Sequence, residues 1–244
     1  MPSLAIATLI ASGFSLQPSG TVMSLPTLPG FSMSALLVSA LLHCGTALAQ
    51  QTSNLSLNAQ LLLAARQSNG AQVDRLLQAG AVPNSRNRLG KTALLLAAEK
   101  GQLEMAQRLL RAGTDVQLAS LEGVTPLMAA CYGGHAAVAR LLLGAGARTD
   151  GQDRMKRSAM VYAAAQGHAD AVEALLDGGV AVDAAYEQRL TALMWAAGQG
   201  QAVVVEKLLA RGARRDLQDD RGQSAEQIAR AAGHTAIADR LAAR

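Results

Sequence analysis

The chain has 244 residues, half of them hydrophobic and only 2% aromatic, and its 22 basic and 18 acidic side chains leave a net charge of +4. So modest an excess, with the acidic residues interspersed among the basic ones, excludes a nucleic-acid binder that works through overall charge.

Residues 1–49 contain no Lys, Arg, Asp or Glu and hold both phenylalanines, Phe14 and Phe31. Ser34 to Leu42 is an apolar run of signal-peptide length, followed by the small-x-small pattern Ala47-Leu48-Ala49 and the polar stretch Gln50 to Asn54. The expected organisation is therefore a leader over 1–49, cleaved or disordered, a short polar linker over 50–56 and a folded domain over 57–244. Basic residues are missing ahead of the apolar run, and Met23 and Met33 are alternative starts. Neither apolar stretch reaches the roughly 18 residues that span a bilayer, so stable membrane insertion is not expected and the destination is periplasmic or secreted. Cys44 follows the apolar run, but His43 occupies the place where lipidation needs a small residue. Cleavage after Ala49 leaves Cys131 as the one cysteine, which excludes an intramolecular disulfide. A buried, inert thiol is expected there.

From residue 57 onward a pattern returns every 33 residues, through six repeats. Gly80, Gly113, Gly146, Gly179 and Gly212 keep that step, and so do Gly101, Gly134, Gly167, Gly200 and Gly233. A third series, Thr92, Thr125, Ser158, Thr191 and Ser224, precedes an alanine-rich apolar stretch each time. Thr and Ser are good helix N-caps because the hydroxyl accepts from an orphan backbone N–H, and Pro126 has its φ already set for a first helical position. Each repeat thus predicts a first helix reading Leu-x-x-Ala-Ala, as in Leu94, Ala97 and Ala98, with small residues that permit close stacking. A glycine breaks it, and a second helix follows with paired leucines such as Leu109-Leu110 and Leu142-Leu143. The next glycine stands where a left-handed C-cap is expected, and the remaining residues form a protruding turn.

Thr125-Pro126-Leu127-Met128-Ala129-Ala130, then Gly134-His135, Leu142-Leu143 and Gly146-Ala147, resembles an ankyrin repeat, and the resemblance covers residues 57–244. It implies an all-α solenoid of about six helix-turn-helix repeats with protruding β-turn tips. The function it implies is a non-catalytic module that binds another protein through the tips and the concave face of the first helices. Met128, Leu95 and Met194 replace the histidine usual after Thr-Pro-Leu. Lys156 and Arg189 stand where other tips have glycine, so those two tips are expected to depart from the usual turn. The first repeat lacks the Thr signal, and the last carries Glu226 and Gln227 in place of apolar residues, as capping repeats should.

No constellation for catalysis or metal binding emerges, and no cofactor is implied. His135, His168 and His234 all follow the inter-helix glycine. Repeats stack about 8 to 10 Å apart, whereas two ligands of one zinc must lie within about 4 Å of each other, twice a Zn–N bond. The recurring Asp150, Asp183 and Asp216 read as turn formers. Gly144-Ala145-Gly146-Ala147 ends a helix and cradles no phosphate.

A binding surface remains. The first tip carries Arg86, Arg88 and Lys91, the third Arg154, Met155, Lys156 and Arg157, and the last Asp219, Asp220 and Arg221. Tyr132, Tyr162 and Trp195 lie on first helices and Tyr186 on a tip, where exposure is expected. Aromatic and arginine side chains dominate interface hot spots. The candidate partner-binding set is Arg86, Arg88, Tyr132, Arg154, Met155, Arg157, Tyr162, Tyr186 and Trp195. For Tyr162 and Trp195, which share a repeat position, filling space between helices is an equal alternative. Arg154, Arg157 and Tyr186 are expected to lie outside the stacked core. The expected molecule is a monomer whose partner is a protein with an acidic patch. An accessory, protective or immunity-type partner of one exported enzyme or toxin is the alternative. Arginine outnumbers lysine by 18 to 4, a bias associated with GC-rich bacterial genes.

Overall fold

The computed structural model describes residues 57–243, and the leader over 1–49 and the linker over 50–56 lie outside them. The described residues form helix pairs. The first pair is α1 over 57–66 and α2, Gly70–Gln78. The next two are α3, Ala93–Glu99, with α4, Leu103–Arg111, and α5, Pro126–Tyr132, with α6, Ala136–Gly144. Then come α7, Ala159–Gln166, with α8, Ala169–Asp177, and α9, Ala192–Gly198, with α10, Ala202–Ala210. The last pair is α11, Ala225–Ala231, with α12, Thr235–Ala242.

The hydroxyl series starts the first helices as expected. Thr92, Thr125, Ser158, Thr191 and Ser224 each accept a hydrogen bond from the backbone N–H three residues on. Pro126 sits in the first turn of α5. Helices of seven to ten residues are too short to persist alone in water. Packing supplies the difference, for first helices contact the first helices of neighbouring repeats and second helices contact second helices. Ala98, Ala130, Ala164 and Ala197 have no solvent exposure, so the alanine pairs do form the close contact between helices. In each leucine pair the first member enters the core: Leu109, Leu142, Leu175 and Leu208 are 0% exposed.

Between the helices of a repeat the chain turns through Gly134 at φ +72. A Cβ there would come within 2.5 Å of the His168 ring, so glycine is needed for conformation and for space. That approach lets His168 Nε2 donate to the Tyr132 carbonyl (2.9 Å), and His135 does the same to Glu99 (3.2 Å). Gln201 fills the same role toward the Ala165 carbonyl (3.0 Å). These side chains stitch the turn of one repeat to the helix end of the repeat before. Among the described residues, no cluster of His, Cys, Asp and Glu could hold a metal ion.

The aspartates expected to form turns work differently. Asp183 accepts from the Arg214 backbone N–H (3.0 Å), 31 residues ahead, as Asn84 does from Asp115 (2.9 Å). Asp150 and Asp216 pair instead with Arg148 and Arg214. A side chain that follows the second helix reaches the next repeat more readily than its own turn. Cys131 is fully buried on α5, and burial pushes its thiol up to about 12. That is the inert thiol expected.

Candidate functional site

Four of the five tips are closed by the side chain of their first residue, Asn87, Ser120, Asp153 or Asp219. Asn87 Oδ1 accepts from the N–H groups of Leu89 (2.9 Å) and Lys91 (3.0 Å), and Asp153 Oδ1 accepts from Met155 (2.8 Å) and Arg157 (2.9 Å). Asp219 repeats the pattern with Arg221 and Gln223, both at 2.9 Å. Such bonds mimic a backbone turn and hold the loop rigid. Contrary to expectation, the tip with Lys156 does not deviate, because Lys156 itself takes φ +60 and the Asp153 carboxylate fixes the surrounding amides. The tip with Arg189 does deviate. Tyr186 stands at its first position and has no acceptor to offer the loop, so the chain closes through a short 3₁₀ turn, Glu187–Arg189, with both Gln188 and Arg189 at positive φ.

Neighbouring tips are joined by single backbone bonds, Leu121 N–H to Leu89 (2.9 Å), Arg154 N–H to Glu122 (3.0 Å) and Asp220 N–H to Gln188 (3.0 Å). No corresponding bond joins Met155 to Glu187 among the described residues. The first three tips are therefore one linked row and the last two another. The first row carries Arg86, Arg88, Lys91, Arg154, Lys156 and Arg157. Arg154 is opposed by Glu122 across an exposed 3.5 Å pair, and Lys91 by Glu99 at 2.5 Å.

The structure sorts the candidate residues. Arg86, Arg88, Arg154, Met155 and Tyr132 are exposed, Met155 by 65% and Tyr132 by 55%. Tyr162 is 7% exposed and fills space, which settles one of the two readings left open for it. Its hydroxyl donates to Asp153, the Arg157 guanidinium lies 4.7 Å above its ring, and Tyr132 meets it edge to face at 5.4 Å. Arg157 also donates to Asp153 through Nε (3.2 Å) and one terminal nitrogen (3.1 Å), so it anchors the tip. Burial opposes ionisation of Asp153, but the Tyr162 hydroxyl, the Arg157 and Met155 amides and the Arg157 charge outweigh it and hold the carboxyl below its ordinary range. Burial and the Asp153 bond push the Tyr162 phenol up to about 12.

Tyr186 is not the exposed tip aromatic that was expected. It is half-buried with its hydroxyl turned inward and without a well-formed hydrogen bond, and burial pushes that phenol up to about 12. Trp195 is likewise half-buried, its indole N–H enclosed and unpaired. Arg157 and Tyr186 consequently belong to the packed structure, against the expectation that they lie outside it.

Several surface residues escaped the sequence reading. Leu89 is 60% exposed and Leu121 55%, both near the apex of a tip, beside Met155 in the linked row. Leu63 projects from α1 with 52% exposure. An apolar residue within a β-turn otherwise made of Asn, Arg, Ser, Glu and Gly was the signal that could have found the tip leucines. Beside the row, the first helices enclose a cleft of about 430 Å³ lined by Glu99, Val124, Ala129, Tyr132, Arg157 and Tyr162. A second, about 500 Å³, adjoins it across Glu99 and includes Leu63, Leu89 and Leu96. On the second helices an open notch of about 580 Å³ carries Arg111 and Arg140 without an aromatic side chain.

The family described as ankyrin repeats (3 copies) matches the chain in five overlapping segments: 34–120, 61–153, 96–186, 138–219 and 160–244. The first begins ahead of the described residues, inside the stretch read as a leader. Among curated proteins none matches it. With capped helix pairs in register over the described residues and that match over most of its length, the chain belongs to the ankyrin-repeat family.

Proposed function

We propose that this chain is an exported binding module whose partner, a protein with an acidic patch, docks on the first three tips and the concave face beside them. Ankyrin repeats imply a protein-binding, non-catalytic module. The observation that carries the finer reading is the linked row of tips, basic on its first and third members and bearing the exposed side chains of Leu89, Leu121 and Met155. Apolar side chains ringed by arginine form the kind of surface that supplies hot spots. Tips held by their own side-chain bonds lose little ordering entropy on association, which raises the affinity a given contact area can reach.

Charge reversal at Arg88 and Arg154 tests this reading, because both side chains are exposed and neither closes a tip. Against a captured partner, surface plasmon resonance is expected to show association slowed about tenfold at low salt with a flatter salt dependence, since exposed charges steer the encounter. The melting curve should stay that of the wild type. Unaltered association would move the contact elsewhere on the stack.

Export rests on the charge-free residues 1–49 and the Ala47-Leu48-Ala49 pattern. Mass spectrometry of the native protein is expected to find its N-terminus at Gln50 or within a few residues of it. Recovery of unprocessed full-length chain from the cytoplasm would contradict the periplasmic or secreted destination.

A further inference from the structure

One position on the concave face differs in size from its counterparts. Stepping by 33 residues, it is occupied by Leu63, Leu96, Ala129, Tyr162, Trp195 and Ile228. Every repeat but one puts a bulky apolar side chain there, and at Ala129 the volume that such a side chain would fill is the cleft of about 430 Å³. Its walls are the exposed ring of Tyr132 and the buried ring of Tyr162, held edge to face, with Val124 at the tip side. The charged groups at its mouth are matched within the chain, Arg157 by Asp153 and Glu99 by Lys91. The interior is therefore suited to an apolar group. On the tips of the linked row the charge is unbalanced: among the described residues Arg88 and Lys156 have no ion-pair partner, and Arg154 has only an exposed one at 3.5 Å.

From these features we infer that the cleft over Ala129 receives a single bulky apolar side chain, aromatic or leucine-like, carried on an acidic segment of the partner. The inference rests on the partner-binding reading above and gives the contact a direction. The aromatic residues of this chain do not project into a pocket of the partner. Tyr132 and Tyr162 wall a socket, and the partner supplies the knob. Charge complementarity selects the acidic segment: its carboxylates meet Arg88, Arg154 and Lys156 as its apolar residue leaves water beside the tyrosines.

Three synthetic heptapeptides test this with the full chain: glutamate and aspartate flanking a central phenylalanine, the same with a central alanine, and phenylalanine flanked by lysines. Titrations are followed by amide chemical shifts. The phenylalanine-centred acidic peptide is expected to shift Ala129, Tyr132 and Tyr162. The alanine-centred peptide should bind about tenfold more weakly or worse, as burying an aromatic side chain implies, and the lysine-flanked peptide should bind more weakly still. Ala129→Leu fills the cleft with the residue that Leu96 already places at this point of another repeat. It should erase the preference for phenylalanine over alanine while leaving thermal unfolding unchanged. Tyr132→Ala, which removes an exposed wall, should reduce the same preference. Equal affinity for the two acidic peptides, shifts centred on the second helices, a preference that survives Ala129→Leu, or no binding by any peptide would overturn the inference. The wider reading is tested separately: it fails if no partner cross-links from Met155, which lies outside the cleft.

Discussion

Leu142→Ala is expected to lower the unfolding free energy by about 2 to 5 kcal/mol, the usual range when a large buried side chain is cut to a methyl group. Leu142 is 0% exposed on α6, and α6 packs against α4 on one side and α8 on the other. Neither neighbour can close the void without leaving its own contacts, so the cavity persists. Because each repeat is held by the repeats beside it, the loss reaches the whole stack. A urea denaturation midpoint equal to that of the wild type would contradict the register in which the leucine pairs are placed.

Asp153→Ala is expected to cost about 2 to 3 kcal/mol. Asp153 is 6% exposed, and removal of its carboxylate strands the Tyr162 hydroxyl and the Met155 and Arg157 amides at once. Arg157, about one-third exposed, finds water instead, which keeps the loss below that of a fully buried stranded charge. Asp153→Asn should lose only about 1 kcal/mol, because Asn87 closes another tip with the same two backbone bonds. The folded carboxyl is held below its ordinary value, so its contribution is present above the unfolded pKa of about 3.9 and is lost as pH falls through the lower folded value. Wild type should therefore lose stability in that acid window, and Asp153→Ala should lose less there. Parallel acid limbs for the two proteins, followed by urea unfolding against pH, would contradict the assignment.

The repeat frame was legible because it rests on short-range chemistry. A hydroxyl cap, an alanine pair, a glycine in a left-handed turn and a leucine pair each specify their local structure, and 33-residue recurrence does the rest. The site was less legible. Tyr186 was expected to be exposed because it lies on a tip, yet the same register places it on the position of Asp153, whose side chain points down toward the following first helix. Following that register would have turned Tyr186 inward. Arg157 was misplaced for a related reason: its charge suggested a surface role, whereas the buried Asp153 carboxylate and the Tyr162 ring hold it in the tip. Leu89 and Leu121 carry no charge and so leave no trace in a charge pattern, although apolar residues in a turn are unusual. At Ala129 the small residue among bulky counterparts was present in the sequence, but the walls that turn it into a cleft come from tertiary packing.

The central claim, that the partner docks on the first three, linked tips, is tested most directly by a photocross-linking pair. Benzoylphenylalanine replaces Met155, 65% exposed on the third tip, or Val203, 67% exposed on the second helix α10. The two positions are equally accessible and apolar, so only their place on the stack differs. Illumination of intact cells is expected to join a single protein partner to the Met155 variant and none to the Val203 variant. A cross-link from Val203 with none from Met155 would contradict the account and place the contact on the second helices.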